Sequence, residues 1–224
     1  MTAKFDWKQI ETVLLDMDGT LLDLHFDNHF WLEHVPRRYA EQQGMEVDVA
    51  RDELLDRYRA VEGTIDWYCI DYWTRELGMD IALLKEEVDH LIAVHPHVID
   101  FLVGLKQAGK RRVLVTNAHG KALALKMRRT PIGDHLDSVV CAHDFGVPKE
   151  DLRFWEQLQG REPFIKQSTL LVDDSLAVLR SAARYGVENL LAIGKPDSQQ
   201  DAKEISEFPA VNHFRELLPQ LKPM

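Results

Sequence analysis

The stretch ETVLLDMDGTLLD, residues 11–23, decides the fold. An apolar run suited to a buried strand ends abruptly at Asp16 and Asp18, and Gly19 and Thr20 follow. A strand that served only the hydrophobic core would end in a turn with at most one acid, since Asp and Gly are ordinary turn residues. The paired acids therefore indicate a functional site at the point where the chain leaves the core.

Four more short runs, rich in Leu and β-branched residues, have the composition of buried parallel strands. With the first run, the predicted strands cover residues 12–15, 112–116, 138–141, 169–172 and 189–193. Helical patterns precede or separate the later strands, at residues 98–107, 120–129, 150–158 and 175–185. This alternation predicts an α/β protein with a doubly wound parallel sheet.

The connection that follows the first strand is unusually long. About 70 residues separate that strand from the helix near Val98, whereas an ordinary crossover needs a dozen or so. This segment has its own helix-start signals, and Pro36 is expected to kink or restart its first helix; the signals are Asp27 or Asn28, Asp48, Asp66 and Asp80. We predict a helical subdomain over residues 24–94, inserted into a core made of residues 1–23 and 95–224.

Net charge and apolar patterning disfavour several classes of function. The chain carries 37 Asp and Glu against 27 Lys and Arg, a net charge of −10, which argues against binding to extended nucleic acid or to a membrane. No apolar segment near the N-terminus reaches signal-peptide length, so we expect a cytoplasmic protein. Cys69 and Cys141 match no metal or redox spacing and are expected to be free thiols.

The candidate functional residues lie at or just after predicted strand ends, namely Asp16, Asp18, Thr116, Asn117, Lys149, Asp173 and Asp174. In open α/β sheets the carboxyl ends of the strands meet at one edge, where ligands bind. Up to four carboxylates would share this pocket with one ammonium group, and such a grouping repels itself unless a cation intervenes. Oxygen ligands favour a hard divalent ion, so we expect Mg²⁺ together with a substrate phosphate.

The two acids of DMD suit different chemical roles. Asp16, at the strand end and therefore the more rigidly held, is expected to attack phosphorus and form an acyl phosphate. Asp18, on the loop, is expected to protonate the leaving alkoxide and then to accept a proton from water. Lys149 and Thr116 are expected to contact phosphate oxygens, with further donors from the backbone around Asn117.

DMDGT, Thr116, Lys149 and the acidic pair of VDDS together resemble the four motifs of the haloacid dehalogenase-like (HAD) phosphohydrolases, in order and in approximate spacing. The resemblance implies a Rossmann-like core with a helical cap inserted after the first motif. It also implies Mg²⁺ held by the Asp16 carboxylate, the Asp18 backbone carbonyl and the acidic pair, with Asp174 favoured over Asp173 as the direct ligand. Glu150 follows Lys149 where proline is common in the family.

Among capped members, the chain looks most like the bacterial purine 5′-nucleotidases that act on GMP and IMP. The expected partner is a small-molecule phosphate ester, and the oligomeric state stays open. In the aromatic-rich insertion, Phe30 and Trp31 are the first candidates to stack on a purine ring, because stacking on an aromatic side chain stabilises a bound base. An inward-facing arginine of the insertion would suit the O6 or N7 edge of guanine or hypoxanthine.

Other activities remain possible on the same residues. A sugar-phosphate phosphatase or phosphomutase would use the same core. A phosphorylation-dependent signalling module of the receiver type also combines an acidic pair, a phosphoacceptor Asp, a Thr and a Lys, but in a different order and without a cap. A haloacid dehalogenase is disfavoured, because its chemistry does not require the acid/base group that Asp18 supplies.

Overall fold

A six-stranded parallel sheet forms the centre of the protein. The computed structural model describes residues 5–221 and orders the strands β3-β2-β1-β4-β5-β6, with each pair of neighbours parallel. The strands are β1 Thr12–Leu15, β2 Arg111–Thr116, β3 Ser138–Cys141, β4 Thr169–Asp173, β5 Asn189–Ile193 and β6 Ala210–Val211. The predicted doubly wound α/β fold is therefore confirmed. The two residues of β6 are too few to produce a recognisable sequence pattern, and that strand was not predicted.

Helices cover the sheet and fill the long connection after β1. That connection contains α1 His25–His29, α2 Val35–Gln43, α3 Val47–Val61, α4 Ile70–Leu77 and α5 Ile81–Glu87. The remaining helices are α6 Val98–Gln107, α7 Gly120–Arg129, α8 Leu152–Arg161 and α9 Leu176–Tyr185. Over residues 5–221, no helix combines the length and the apolar composition needed to cross a membrane.

Each face of the sheet has its own hydrophobic cluster, because alternate residues of a strand point to opposite faces. Leu14 of β1 packs with Phe154 and Trp155 of α8 on one face. Leu15, the next residue, packs with Phe101 and Leu105 of α6 on the other face. Burial on both faces explains why the central strands read as continuous apolar runs in the sequence.

Helices α1 to α5 share a third hydrophobic cluster, which includes Phe26, Tyr58 and Trp73. Ala122 and Leu125 of α7 belong to the same cluster, so this helical segment packs on α7 of the core. The predicted boundaries between the inserted subdomain and the core, at residues 24 and 94, stay a prediction. Residues 1–4 and 222–224 of the predicted core lie outside the described residues. We call residues 24–94 the helical segment.

The local helix signals had mixed outcomes. A π-helical turn, Phe30–His34, joins α1 to α2 just before Pro36. Proline has no N–H to donate to the Leu32 carbonyl, and Arg51 Nε donates to that oxygen instead, at 3.4 Å. Asp80 caps α5 as predicted, since its Oδ1 accepts a hydrogen bond from Leu83 N at 3.1 Å.

The helix start predicted at Asp66 was wrong. A short 3₁₀ turn, Ile65–Tyr68, comes first, and α4 begins only after Cys69. The Sγ atom of Cys69 accepts the N-terminal hydrogen bond of α4, from Tyr72 N at 3.4 Å. Cysteine is not one of the residues that usually announce a helix start, so the sequence pointed to the nearby acid instead.

Candidate active site

The carboxyl ends of β1, β2 and β4 meet because these three strands are neighbours in the sheet. Asp16 follows β1, and its backbone N–H still donates to Val172 O of β4 at 3.0 Å, which continues the sheet pairing to the site. Thr116 ends β2 and Asp173 ends β4. A cavity of about 440 Å³ lies above these ends and is lined by every predicted site residue except Phe30.

Lys149 is the cation at the centre of the site. It is 2% exposed, and its ammonium donates to Asp16 Oδ1 at 2.5 Å, to Asp173 Oδ2 at 2.7 Å and to the Val115 carbonyl at 3.1 Å. Burial disfavours the charged form, but the two carboxylates outweigh it and raise the pKa of Lys149 above its ordinary value. Lys149 is therefore a fixed positive charge between two aspartates.

Side chains on both sides of Lys149 hold its loop in place. Asn117 Oδ1 accepts a hydrogen bond from Lys149 N at 2.9 Å, and Trp155 Nε1 donates to the Lys149 carbonyl at 3.0 Å. Glu150, which stands where proline is common in the family that the sequence resembles, accepts from Asn117 Nδ2 at 3.0 Å and from Tyr68 Oη at 2.7 Å. The Asn117 side chain thus positions the loop that carries Lys149, and Glu150 joins that loop to the helical segment.

Three carboxylates, two of them buried and the third partly buried, form a group that fits a divalent cation. Oxygen atoms of Asp16, Asp173 and Asp174 all lie within 4.8 Å of one another. Burial and the neighbouring Asp173, against the lowering effect of Lys149, raise the pKa of Asp16 to about 6. Burial and the neighbouring aspartates raise the pKa of Asp174 well above its ordinary value. Lys149 can balance one of the three negative charges, so a divalent cation is needed to favour the fully ionised group. The all-oxygen donor set suits Mg²⁺.

Gly19 brings the first motif close to Asp174. Its φ of +82° is in the left-handed region, and a Cβ atom there would lie 2.7 Å from Asp174 Cγ. A side chain at this position would therefore push against a candidate metal ligand, in addition to the backbone strain. This close approach explains why glycine follows the second acid of DMDG.

Asp18 belongs to a chain of buried ion pairs that sequence reasoning missed. Asp18 Oδ1 accepts from Lys126 Nζ at 2.6 Å, Lys126 also donates to Asp27 Oδ2 at 2.5 Å, and Lys85 donates to Asp27 Oδ1 at 2.8 Å. Both lysines are 2% exposed. The network connects the first motif through α7 of the core to α1 and α5 of the helical segment.

The pKa values of the two carboxyl groups in this network are shifted in opposite directions. Burial raises the pKa of Asp18 to about 6, against the lowering effect of Lys126. Burial also acts on Asp27, but Lys126 and Lys85 together outweigh it and lower the pKa of Asp27 below its ordinary value. Asp27 is therefore an anion that keeps the two lysines in place, while Asp18 has a pKa close to neutrality.

The helical periodicity of the sequence contained a signal that both lysines are buried. Lys85 follows Ile81 and Leu84 on the buried face of α5. Lys126 follows Ala122 and Leu125 at the same spacing on the buried face of α7. A lysine on the apolar face of a helix has to find a buried partner, because an unpaired buried charge is very costly.

The two aromatic candidates of the helical segment differ in placement. Trp31 lines the cavity, together with Tyr58, Trp67, Tyr68 and Trp73. Phe30 is fully buried and lies outside the cavity lining, with its ring 6.4 Å from that of Phe26 and under the Lys85 ammonium at 4.2 Å. The structure therefore does not support the predicted stacking role of Phe30, whose ring packs in the interior of the helical segment.

Comparison with known proteins gives a consistent result. The profile of the haloacid dehalogenase-like hydrolases matches residues 10–186. The chain is 40% identical over 221 residues to the GMP/IMP nucleotidase YrfG of Escherichia coli strain K12, covering 99% of this chain and 100% of that protein. It is 27% identical over 144 residues to the pyrophosphatase PpaX of Bacillus velezensis, covering 64% of this chain and 65% of that one.

Solved structures show the same fold at lower identity. A HAD phosphatase from Thermococcus onnurineus superimposes with a TM-score of 0.79 at 22% identity, over 95% of this chain and 98% of that one. A β-phosphoglucomutase homologue from Thermotoga maritima superimposes with a TM-score of 0.66 at 19% identity, over 95% and 98%. These two similarities concern the fold alone.

Replacing Gly19 by alanine is expected to weaken metal binding without unfolding the protein. Gly63→Ala is the matched control, because Gly63 has a similar φ of +77° but no atom within 4 Å of an added Cβ. Both variants should lose roughly 1–2 kcal/mol of stability from the left-handed backbone. Only Gly19→Ala should also lower Mg²⁺ affinity, by at least about tenfold, as measured by calorimetric titration. Equal Mg²⁺ affinities in the two variants would contradict the close approach to Asp174.

Replacing Lys126 by methionine is expected to lower the free energy of unfolding by about 3–5 kcal/mol, because the partly buried Asp18 carboxylate loses its cation and Asp27 loses one of its two. Lys121→Met, on the same helix, removes an exposed ion pair with Asp71 and should have little effect. Urea unfolding measures both. Adding Asp18→Asn to Lys126→Met should recover part of the loss, since Asp18 is the carboxylate left without a cation, whereas Asp27 keeps Lys85. A loss in Lys126→Met no larger than in Lys121→Met would refute the network as a stabilising element.

Proposed function

This chain belongs to the haloacid dehalogenase-like hydrolase family, and we propose that it is a Mg²⁺-dependent phosphomonoesterase acting on purine nucleoside 5′-monophosphates such as GMP and IMP. The observation that carries the proposal is the position of Asp16, which lies beside Lys149 and the pair Asp173 and Asp174 in a cavity with an aromatic wall. The near full-length similarity to a GMP/IMP nucleotidase supports the same substrate class.

Asp16 is the proposed nucleophile. Its backbone is fixed by the hydrogen bond to Val172, and its carboxylate is held by Lys149, so the attacking oxygen is aimed before substrate arrives. When bound by the Asp16 carboxylate, the Asp18 carbonyl and Asp174, Mg²⁺ supplies positive charge that offsets the charges of the carboxylates and the phosphate. Attack by Asp16 forms an oxygen–phosphorus bond while the bond from phosphorus to the nucleoside 5′-oxygen breaks.

Asp18 is the proposed general acid and base. It gives its proton to the departing 5′-oxygen, and it then takes a proton from the water that attacks phosphorus and releases inorganic phosphate from Asp16. A pKa of about 6 suits both steps, since the group exchanges protons close to neutral pH. Lys126 holds one carboxylate oxygen and leaves the other to the reaction.

Phosphate binding is proposed for Lys149, the Thr116 hydroxyl and the backbone amides around Asn117. The Thr116 Oγ1 atom accepts a hydrogen bond from Ala118 N at 3.0 Å, which orders the turn that would contribute those amides. An ammonium group has three donors, and those of Lys149 are engaged by Asp16, Asp173 and the Val115 carbonyl, so Lys149 has to exchange one of these bonds to contact a phosphate oxygen while it stays next to Asp16. These donors become most useful as charge moves onto the phosphoryl oxygens during transfer.

The purine is proposed to bind against the aromatic wall of the cavity. Stacking on an aromatic side chain contributes roughly 1–3 kcal/mol per base, and Trp31 presents such a surface. Arg59 lines the same cavity and is the candidate to donate to O6 or N7, two acceptors that guanine and hypoxanthine share. The cavity volume of about 440 Å³ is within the ~300–1,000 Å³ usual for small-molecule sites.

The helical segment is proposed to open and close as a cap. Its two ends are paired, since Asp23 N donates to Ala93 O at 2.9 Å and His95 N donates to Leu21 O at 3.0 Å. This narrow double connection can bend while the segment moves as a unit. Contacts such as Tyr68 to Glu150 and Lys126 to Asp27 would hold the closed form, exclude water and assemble the site.

Phosphate release from a substrate panel tests the proposed function. The panel contains nucleoside monophosphates, sugar phosphates and glycerol phosphate, with and without Mg²⁺, and Asp16→Asn serves as the blank. We expect Mg²⁺-dependent hydrolysis with the highest kcat/KM for GMP and IMP. A preference for sugar phosphates would overturn the purine assignment, and activity that survives in Asp16→Asn would overturn the mechanism.

Replacing Trp31 by alanine tests the base-binding surface. We expect KM for GMP to rise by at least about fivefold, because the loss of roughly 1–3 kcal/mol of stacking corresponds to a change of about 5- to 150-fold. KM for glycerol phosphate, which has no base, should stay within about twofold. Steady-state kinetics with both substrates measures this, and equal changes in the two KM values would exclude stacking by Trp31.

A further inference from the structure

A second group of potential metal ligands lies beside the cavity, where the helical segment meets the core. Cys69 precedes α4 of the helical segment, His119 precedes α7 of the core, and His143 follows β3. Their ligand atoms all lie within 4.8 Å of one another. The three residues are far apart in the sequence and form no spacing motif, so only the fold brings them together.

His143 has a buried nitrogen without a partner. Among the described residues, no hydrogen bond reaches its Nε2, although that atom is buried. Buried polar atoms in proteins are nearly always paired, so this one calls for an explanation. The ring lies next to the Asn117 backbone, which acts to raise the pKa of His143.

Both histidines are suited to bind a cation at neutral pH. Burial and the neighbouring His119 together lower the pKa of His143 to about 4, and burial also lowers the pKa of His119. The two rings are therefore neutral at pH 7 and carry the free lone pair that a metal requires. Their rings meet edge to face, with centroids 4.9 Å apart.

Cys69 is the third member, and it supplies a sulfur donor from the helical segment. Its Sγ accepts the hydrogen bond from Tyr72 N at the start of α4, at 3.4 Å. Cys69 is only partly buried, so a cation can reach the sulfur from solvent. Asp71, in the first turn of α4, places Oδ2 at 3.7 Å from His119 Nε2.

The required rearrangement is small. Ligand atoms on a tetrahedral Zn²⁺ lie roughly 3.3–3.6 Å apart, and the three here are at most 4.8 Å apart, so each separation contracts by no more than about 1.5 Å. Binding through His119 Nε2 also places a proton on Nδ1, which displaces the 3.3 Å hydrogen bond that Lys121 N donates there. Lys121 is in the first, exposed turn of α7, where water can replace that bond. Sulfur and nitrogen donors suit Zn²⁺ and related ions and do not suit Mg²⁺.

We propose that Cys69, His119 and His143 form a binding site for a thiophilic divalent cation of the Zn²⁺ class, which links the helical segment to the core. The ion joins one ligand from the helical segment to two from the core, so it stabilises the closed arrangement. Its effect on turnover rests on the proposed function, because slower opening lowers kcat only if the helical segment moves during catalysis. The binding itself does not depend on any activity.

Cobalt spectroscopy tests the site directly. Co²⁺ is added to protein saturated with Mg²⁺, so that the aspartate group is already filled, and we expect a thiolate-to-cobalt charge-transfer band that Zn²⁺ abolishes by displacement. The band should disappear in Cys69→Ser and persist in Cys141→Ser, which removes the other cysteine. A band that is absent from the unmodified protein, or that depends on Cys141, would overturn the site.

Zinc titration separates this site from the aspartates. With Mg²⁺ saturating, calorimetric Zn²⁺ affinity should fall by at least about tenfold in Cys69→Ser and His143→Asn, and should be unchanged in His90→Asn, an exposed histidine of the helical segment. Serine also caps helices well, so Cys69→Ser should keep α4 intact. Equal affinities in all variants would place the zinc elsewhere and overturn the proposal.

Turnover measurements test the consequence. We expect Zn²⁺ to lower kcat of the unmodified protein under saturating Mg²⁺. Inhibition of Cys69→Ser and His143→Asn, each compared with its own rate without zinc, should need a Zn²⁺ concentration at least about tenfold higher. Equal inhibition of all variants would show that zinc acts at the aspartates and would refute the link to opening. A protein with the cobalt band but no phosphatase activity would overturn the proposed function and leave the metal site standing.

Discussion

The charge balance at the carboxyl end of the sheet is the constraint on which the rest of the structure depends. Asp16, Asp173 and Asp174 are brought together in a buried place, and like charges in such a place repel strongly. Lys149 offsets part of this repulsion, and a divalent cation is needed for the remainder. Much of the surrounding structure serves to hold these charges, from the Asn117 and Trp155 contacts of the Lys149 loop to the glycine that makes room for Asp174.

A second set of charges ties this site to the helical segment. Lys126 sits between Asp18 and Asp27, and Lys85 completes the network on the far side. Buried ion pairs of this kind contribute little net stability relative to apolar packing, but they are costly to break. They therefore make the geometry around Asp18 depend on the position of the helical segment. The expected proton donor and the segment that covers the cavity are physically connected through α7.

The sequence predicted most of the sheet and the grouping of motif residues, because buried parallel strands leave continuous apolar runs and their ends share one edge. It did not reveal the ion-pair network, since Asp18 and Lys126 are 108 positions apart and only the fold pairs them. Nor did the sequence show that Trp31 lines the cavity and Phe30 does not. Adjacent residues of a helix face different directions, and here only the second faces the cavity. The cluster of Cys69, His119 and His143 was hidden for the same reason as the network.

The most direct test of the central claim is to trap the phosphoryl group on Asp16. With p-nitrophenyl phosphate, whose leaving group needs no protonation, the Asp18→Asn variant should form the acyl phosphate but hydrolyse it slowly, because the base that activates water is lost. Rapid-quench kinetics should give a burst of about one nitrophenolate per active site, and mass spectrometry should locate the phosphate on Asp16. A burst without label on Asp16, or label on another residue, would contradict the account.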